Sequence, residues 1–94
     1  MNEQNKLSPY IIDVREPHEY AGDHVAGAIN IPLGEIMNDP QALQAVPLEA
    51  AVVVYCRSGG RAGMACSVLE TRGYQNVRNG INRATIEAEG LARE

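Results

Sequence analysis

Residues 50–61 constrain the fold more than any other stretch, because the apolar run Ala50 to Tyr55 leads without a spacer into Cys56-Arg57-Ser58-Gly59-Gly60-Arg61. The run is apolar at every position, so it reads as a strand covered on both faces and central in a parallel sheet. From Ala62 to Arg72 the pattern turns helical, with Ala65, Val68 and Leu69 on one side and Gly73 as a C-terminal stop. Strand, tight loop and helix in that order form the core of an α/β crossover, and the rest of the chain has to fit around it.

Tyr10 to Val14 is a second β-branched run that stops at charged residues, which predicts a buried strand ending at a polar edge. Pro17 to Asp23 makes about two helical turns, since Pro suits a first helical position and Gly22 weakens continuation. Ala28 to Ile31 is a short strand closed by Pro32, and Leu33 to Met37 and Pro40 to Val46 are short helices split by Asn38-Asp39-Pro40. Tyr74 to Arg78 is expected as the last strand, Asn79-Gly80 as a turn, and Ile81 onward as a terminal helix interrupted by Gly90. The alternation predicts a small α/β domain, its sheet mainly parallel and flanked by helices. Ninety-four residues suffice for one such unit, assigned here to residues 10–94 after a polar segment at residues 1–9. With no Phe, no Trp and four Tyr, its core has to be thin and built from aliphatic residues.

In open α/β sheets ligand sites gather at the carboxyl ends of strands, where this chain places Cys56. Gly59 and Gly60 permit the loop to curl so that successive backbone N–H groups point at one spot, which makes an anion site. The following helix adds its positive dipole end, and Arg57 and Arg61 are expected to add full charges from long, solvent-facing side chains. The same field stabilises a thiolate, so Cys56 is expected to ionise below the ~8.5 of a free cysteine and to serve as a nucleophile without a neighbouring base. The alternative is a buried core cysteine before an ordinary turn, although two Arg and two Gly around one thiol are costly without an anion. Cys66 sits mid-helix beside Ala65 and Leu69, where packing is the ordinary role and a resolving thiol the other. His18 and His24, both placed in the first helical segment, are expected to be structural or surface residues. Asp13 and Arg15, at the first strand's end and so on the same rim as Cys56, read as an ion pair that ties that end to a nearby loop, with a catalytic role as the alternative.

Eight Lys and Arg against twelve Asp and Glu give a net charge of −4, the wrong sign for nucleic acid. The longest apolar run, Ala50 to Cys56, is far short of the ~20 residues that span a bilayer, and Met1 to Ser8 has no signal-like apolar stretch. The expectation is a cytoplasmic monomer with no membrane partner and no cofactor. The two cysteines lack zinc spacing, and no metal ligands are assigned.

Ile12-Asp13-Val14-Arg15-Glu16-Pro17-His18-Glu19-Tyr20 and His24-Val25-Ala26-Gly27-Ala28-Ile29-Asn30-Ile31-Pro32 resemble the first signature of the rhodanese family, and Cys56 to Arg61 resembles its six-residue active-site loop. The resemblance runs from about Tyr10 to Ile81 and is similar in size to single-domain bacterial members of the phage-shock-protein type. It implies a sulfurtransferase in which Cys56 takes a sulfane sulfur from a small anionic donor such as thiosulfate and passes it to cyanide, a thiol or a protein acceptor. The backbone of Arg57, Ser58, Gly59, Gly60 and Arg61 would cradle the sulfur. The family commonly carries Gly-Gly-Ile and then Trp near the last strand, whereas here Asn79-Gly80-Ile81 has lost one Gly and no Trp follows. The segment before Tyr10 is also short for the family. A sulfur carrier without turnover of its own is one alternative. A phosphatase or arsenate reductase is another, although only four residues separate Cys56 from Arg61, one fewer than those loops have.

Overall fold

The structure, a computed structural model, describes residues 9–91, so most of the polar segment at residues 1–9 and the last three residues lie outside it. Four strands, β1 (Tyr10–Asp13), β2 (Ile29–Asn30), β3 (Ala51–Cys56) and β4 (Asn76–Asn82), form one all-parallel sheet in the order β2-β1-β3-β4. The helices are α1 (Pro17–Gly22), α2 (Leu33–Ile36), α3 (Gly60–Thr71) and α4 (Arg83–Ala88), with a 3-10 turn at Gln41–Ala45. This is the predicted α/β layering, with β3 in the interior of the sheet.

Side chains alternate across the inner strands, and each face has its own core. Ile12, Val14, Val52, Val54 and Cys56 pack with Ile36, Leu43, Ala62, Ala65 and Leu69 on one face. Ile11, Val53 and Tyr55 pack with Val25, Ala28 and Ile86 on the other. Burial on both faces explains why β3 reads as a continuous apolar run and not as an alternating one. No helix among the described residues is long and apolar enough to cross a membrane.

Three expectations need correction. The helix expected over Pro40 to Val46 is a 3-10 turn, and the Tyr74 hydroxyl lies 3.0 Å from the Leu43 carbonyl and 2.9 Å from that of Val46. These contacts favour the tighter turn, because the carbonyls find a partner without a helical ladder. His24 lies beyond the end of α1, its ring stacked on Tyr20 at 3.7 Å and its Nδ1 2.8 Å from the Tyr20 carbonyl.

The third correction concerns Asn79-Gly80, which makes no turn. β4 continues to Asn82 through a bulge: Val54 pairs with Asn79 and Tyr55 with Ile81, leaving Gly80 as the extra residue. Gly80 is required there by close approach, since a Cβ would lie 2.7 Å from Val53 Cγ1 and 3.0 Å from Ile86 Cγ1. Ile81 emerges with a φ of +74°, an uncommon conformation for a β-branched residue. The terminal helix therefore starts at Arg83, where the Asn82 side chain accepts the Thr85 N–H at 2.8 Å.

Candidate active site

Cys56 is the last residue of β3, so the sheet delivers its sulfur to the carboxyl edge. The chain then turns at once into α3. Gly59, the residue before α3, has a φ of +98°, and its N–H donates to Cys56 Sγ at 3.1 Å. Ala62, in the first turn of α3, donates its N–H to the same sulfur at 3.4 Å. Burial raises the Cys56 thiol, but backbone N–H groups of Ala62, Ser58, Gly59 and Arg61 outweigh it and hold the group below its ordinary value. Only one of the two glycines uses its conformational freedom. Gly60 already belongs to α3 and carries no positive φ.

Ala62 lies just outside the six-residue motif, and sequence reasoning missed it. The available signal was the rule that the first N–H groups of a helix lack intrahelical partners. The side chains differ from expectation too. Arg61 is turned to Glu19 of α1, its Nη1 2.9 Å from Oε1 and its Nη2 3.3 Å from Oε2, so its charge is already offset. Glu19 is held down to about 2, chiefly by the Arg61 hydrogen bonds and then by its bond to the Glu16 backbone. Arg57 is exposed and has no ion-pair partner among the described residues.

Two adjacent cavities meet at Arg57. One, about 370 Å3, is lined by Cys56, Arg57, Arg15, Asp23, Asn82 and Arg83 among others, and the other, about 350 Å3, by Arg57, His18, Glu19 and Asp23 among others. His18 therefore stands at the rim on α1 and His24 does not. A larger groove of about 470 Å3 lies by the first residues of β3 and β4, away from the sulfur, with no nucleophile in its lining. Among the described residues no group of three or more His, Cys, Asp or Glu is placed to hold a metal ion.

Beneath the rim, Asp13 and Arg15 form the expected pair, and it is more deeply built than expected. Asp13 is fully buried and Arg15 is 8 % exposed. Arg15 Nη2 donates to Asp13 Oδ2 at 2.7 Å and its Nε to Oδ1 at 2.9 Å, while the Tyr55 hydroxyl donates to Oδ2 at 2.8 Å and accepts the Val25 N–H at 3.0 Å. Arg15 Nη2 also holds the Asp23 carbonyl at 2.7 Å, which ties the strand end to the loop after α1. Hydrogen bonds to Asp13 raise the Arg15 guanidinium further, against the cost of burial, and burial raises the Tyr55 hydroxyl. Cys66 packs against the α3 side of the core, and burial pushes its thiol up to about 11, which suits packing better than a resolving role.

The chain is similar to known proteins. It is 45 % identical over 69 residues to thiosulfate sulfurtransferase PspE of Escherichia coli strain K12, covering 72 % of this chain and 64 % of that protein. It is 36 % identical over 69 residues to a sulfurtransferase of Allochromatium vinosum, covering 73 % of this chain and 62 % of that protein. The chain thus spans somewhat less than two thirds of the length of these curated relatives. Among solved structures, a rhodanese with anions from E. coli superposes with a TM-score of 0.74 at 39 % identity, covering 83 % of this chain and 91 % of the other. The family model described as Rhodanese-like domain matches residues 1–81, and with these similarities it establishes that the chain belongs to the rhodanese-like family.

Proposed function

We propose that residues 10–94 act as one domain that moves a sulfane sulfur through a persulfide on Cys56. The observation that carries this reading is the sulfur itself, which receives N–H groups from Gly59 at 3.1 Å and Ala62 at 3.4 Å and is held below its ordinary thiol pKa. Donors aimed at one sulfur atom stabilise an anion on that atom, and no general base is needed to make the nucleophile. The names of the relatives, thiosulfate sulfurtransferase and sulfurtransferase, support the same chemistry.

With thiosulfate as donor, the Cys56 thiolate attacks the outer sulfur, a Cys–S–S bond forms, the S–S bond of thiosulfate breaks, and sulfite leaves with the bonding pair. The persulfide carries the same single negative charge as the thiolate, so the N–H groups that hold one can hold the other. An acceptor, cyanide or a thiolate on a small molecule or a protein, then attacks the outer sulfur and regenerates the Cys56 thiolate. Thiocyanate or a new persulfide leaves. Arg57, which lines both cavities and has no ion-pair partner among the described residues, draws the dianionic donor toward the sulfur. The cycle needs Cys56 as a free thiol, which suits a reducing compartment such as the cytoplasm, and it is complete in a monomer.

The test is the intact mass of the protein after incubation with thiosulfate and then with cyanide. The expected result is a gain of one sulfur atom that cyanide removes and that is missing in Cys56→Ser. A Cys56→Ser protein that gains sulfur equally would overturn the assignment.

A further inference from the structure

The bulge in β4 does more than join two elements, because it aims one amide at the loop that holds Cys56. Asn79 Nδ2 donates to the Gly59 carbonyl at 2.9 Å, and Asn79 Oδ1 accepts the Ile81 N–H at 2.8 Å. The second bond fixes which end of the amide faces the loop. Ile81 supplies that N–H from its strained φ of +74°, a conformation that persists only where the surroundings over-determine it. The amide also rests against the loop and the start of α3, since a Cβ on Gly59 or Gly63 would lie 3.7 or 3.5 Å from Nδ2.

Gly59 is the residue that most needs such a restraint. Its carbonyl already accepts the Gly63 N–H at 2.9 Å, the first bond of α3, and its own N–H is one of the sulfur's donors. Between these two peptide planes lies a glycine at φ +98°, with no side chain to stop it from rotating. Holding the carbonyl plane with a second donor narrows the rotation available to the N–H plane. We propose that Asn79 is a positioning residue for the sulfur site, its amide fixing the Gly59 carbonyl so that the Gly59 N–H stays aimed at Cys56 Sγ. Asn79 itself is not among the sulfur's donors and lines neither of the two cavities that meet at Arg57. The proposal deepens the sulfur-transfer reading and rests on it for its meaning, but it can be tested without any sulfur transfer.

The test is the pH profile of Cys56 alkylation by a neutral reagent, read by mass on the peptide that contains Cys56, in wild type, Asn79→Ala, Asn79→Leu and Asn76→Ala. Asn76→Ala removes a comparable bond, 3.2 Å to the Glu49 carbonyl, at the opposite end of β4. In both Asn79 variants the midpoint is expected to move up toward the ~8.5 of a free thiol, with the rate below the midpoint reduced about three- to tenfold and the high-pH plateau unchanged. In Asn76→Ala the profile stays at the wild-type position. An unchanged midpoint in either folded Asn79 variant overturns the proposal, as does an equal shift in Asn76→Ala. Loss of cooperative unfolding in both Asn79 variants also overturns it, because the residue then serves the fold as a whole. A wild-type midpoint already at the free-thiol value would count against the activated sulfur itself, and so against the proposed function.

Discussion

Replacing Arg15 with methionine removes one guanidinium and leaves a carboxylate with nowhere to go. Asp13 is fully buried, and in wild type its two oxygens are held by Arg15 Nε and Nη2 at 2.9 and 2.7 Å, by the Arg15 N–H at 2.9 Å and by the Tyr55 hydroxyl at 2.8 Å. Methionine keeps roughly the length and apolar bulk of the side chain, so packing is the smaller loss. The larger one is an uncompensated buried charge, which costs about 3–5 kcal/mol. At about 0.05–0.15 kcal/mol per residue a chain of this length has about 5–14 kcal/mol in all, so the variant stands near the edge of folding. With a urea slope of about 1–1.5 kcal/mol/M, the unfolding midpoint is expected to fall by about 2–5 M, measured by far-UV circular dichroism at pH 7. Adding Asp13→Asn to the same protein removes the orphaned charge while keeping an acceptor for Tyr55, and is expected to recover about 1–3 kcal/mol. A fall of less than about 0.5 M in the single variant, or no recovery in the double, would refute the reasoning and make the pair a rim contact of little energetic weight.

Arg57→Ala is expected to raise the KM for thiosulfate about fivefold with a smaller loss in kcat, and high salt should reproduce that effect in wild type, because the contact is exposed. Equal losses in KM and kcat with no salt dependence would contradict it. Gly80→Ala places a methyl 2.7 Å from Val53 Cγ1 and should cost about 1–3 kcal/mol, with Val53→Ala in the same chain costing less than it does alone; additive melting-temperature losses would argue against the clash. Glu19→Gln tests the pair with Arg61 through acid. Because Glu19 is held down to about 2 in the folded chain, below the ~4.3 of an unfolded one, the pair's contribution is complete above about pH 4.3 and is lost as pH falls toward 2. The stability gap between wild type and Glu19→Gln, about 1 kcal/mol or less, should therefore close over that window, and a gap that persists at pH 2 would refute the assignment.

What could be read from the sequence was local. The run at residues 50–55 identifies β3 because both of its faces are covered, and Cys56 follows it directly, so the sulfur's place at the sheet's carboxyl edge needs no distant information. Asp13 and Arg15 are two residues apart, and their pairing could be read for the same reason. The Tyr55 hydroxyl that completes their network could not, since it lies forty-two residues from Asp13 and within a run that otherwise reads as apolar. Glu19 and Arg61 are equally far apart, and nothing near Arg61 announces that its charge is already engaged. At Asn79-Gly80 the local signal pointed the wrong way. Asn-Gly is a turn signature, but the demand for a residue without Cβ came from Val53 and Ile86 across the sheet.

The cradle around Cys56 is made of main chain, and this decides how much the motif can drift. Every residue except proline carries an N–H, so Ser58, which is exposed, serves the sulfur through a group that almost any replacement would also supply. Gly60 has nothing within 4 Å of where a Cβ would stand, so a side chain there has free space. Gly59 alone is held by its φ of +98°. A library randomised at positions 58, 59 and 60 and sorted for sulfur loading should return many residues at the two outer positions and nearly invariant glycine between them. Within the loop, the demand on residue type is then concentrated at one backbone angle, and loops that differ at positions 58 and 60 can present the same N–H groups to Cys56 Sγ.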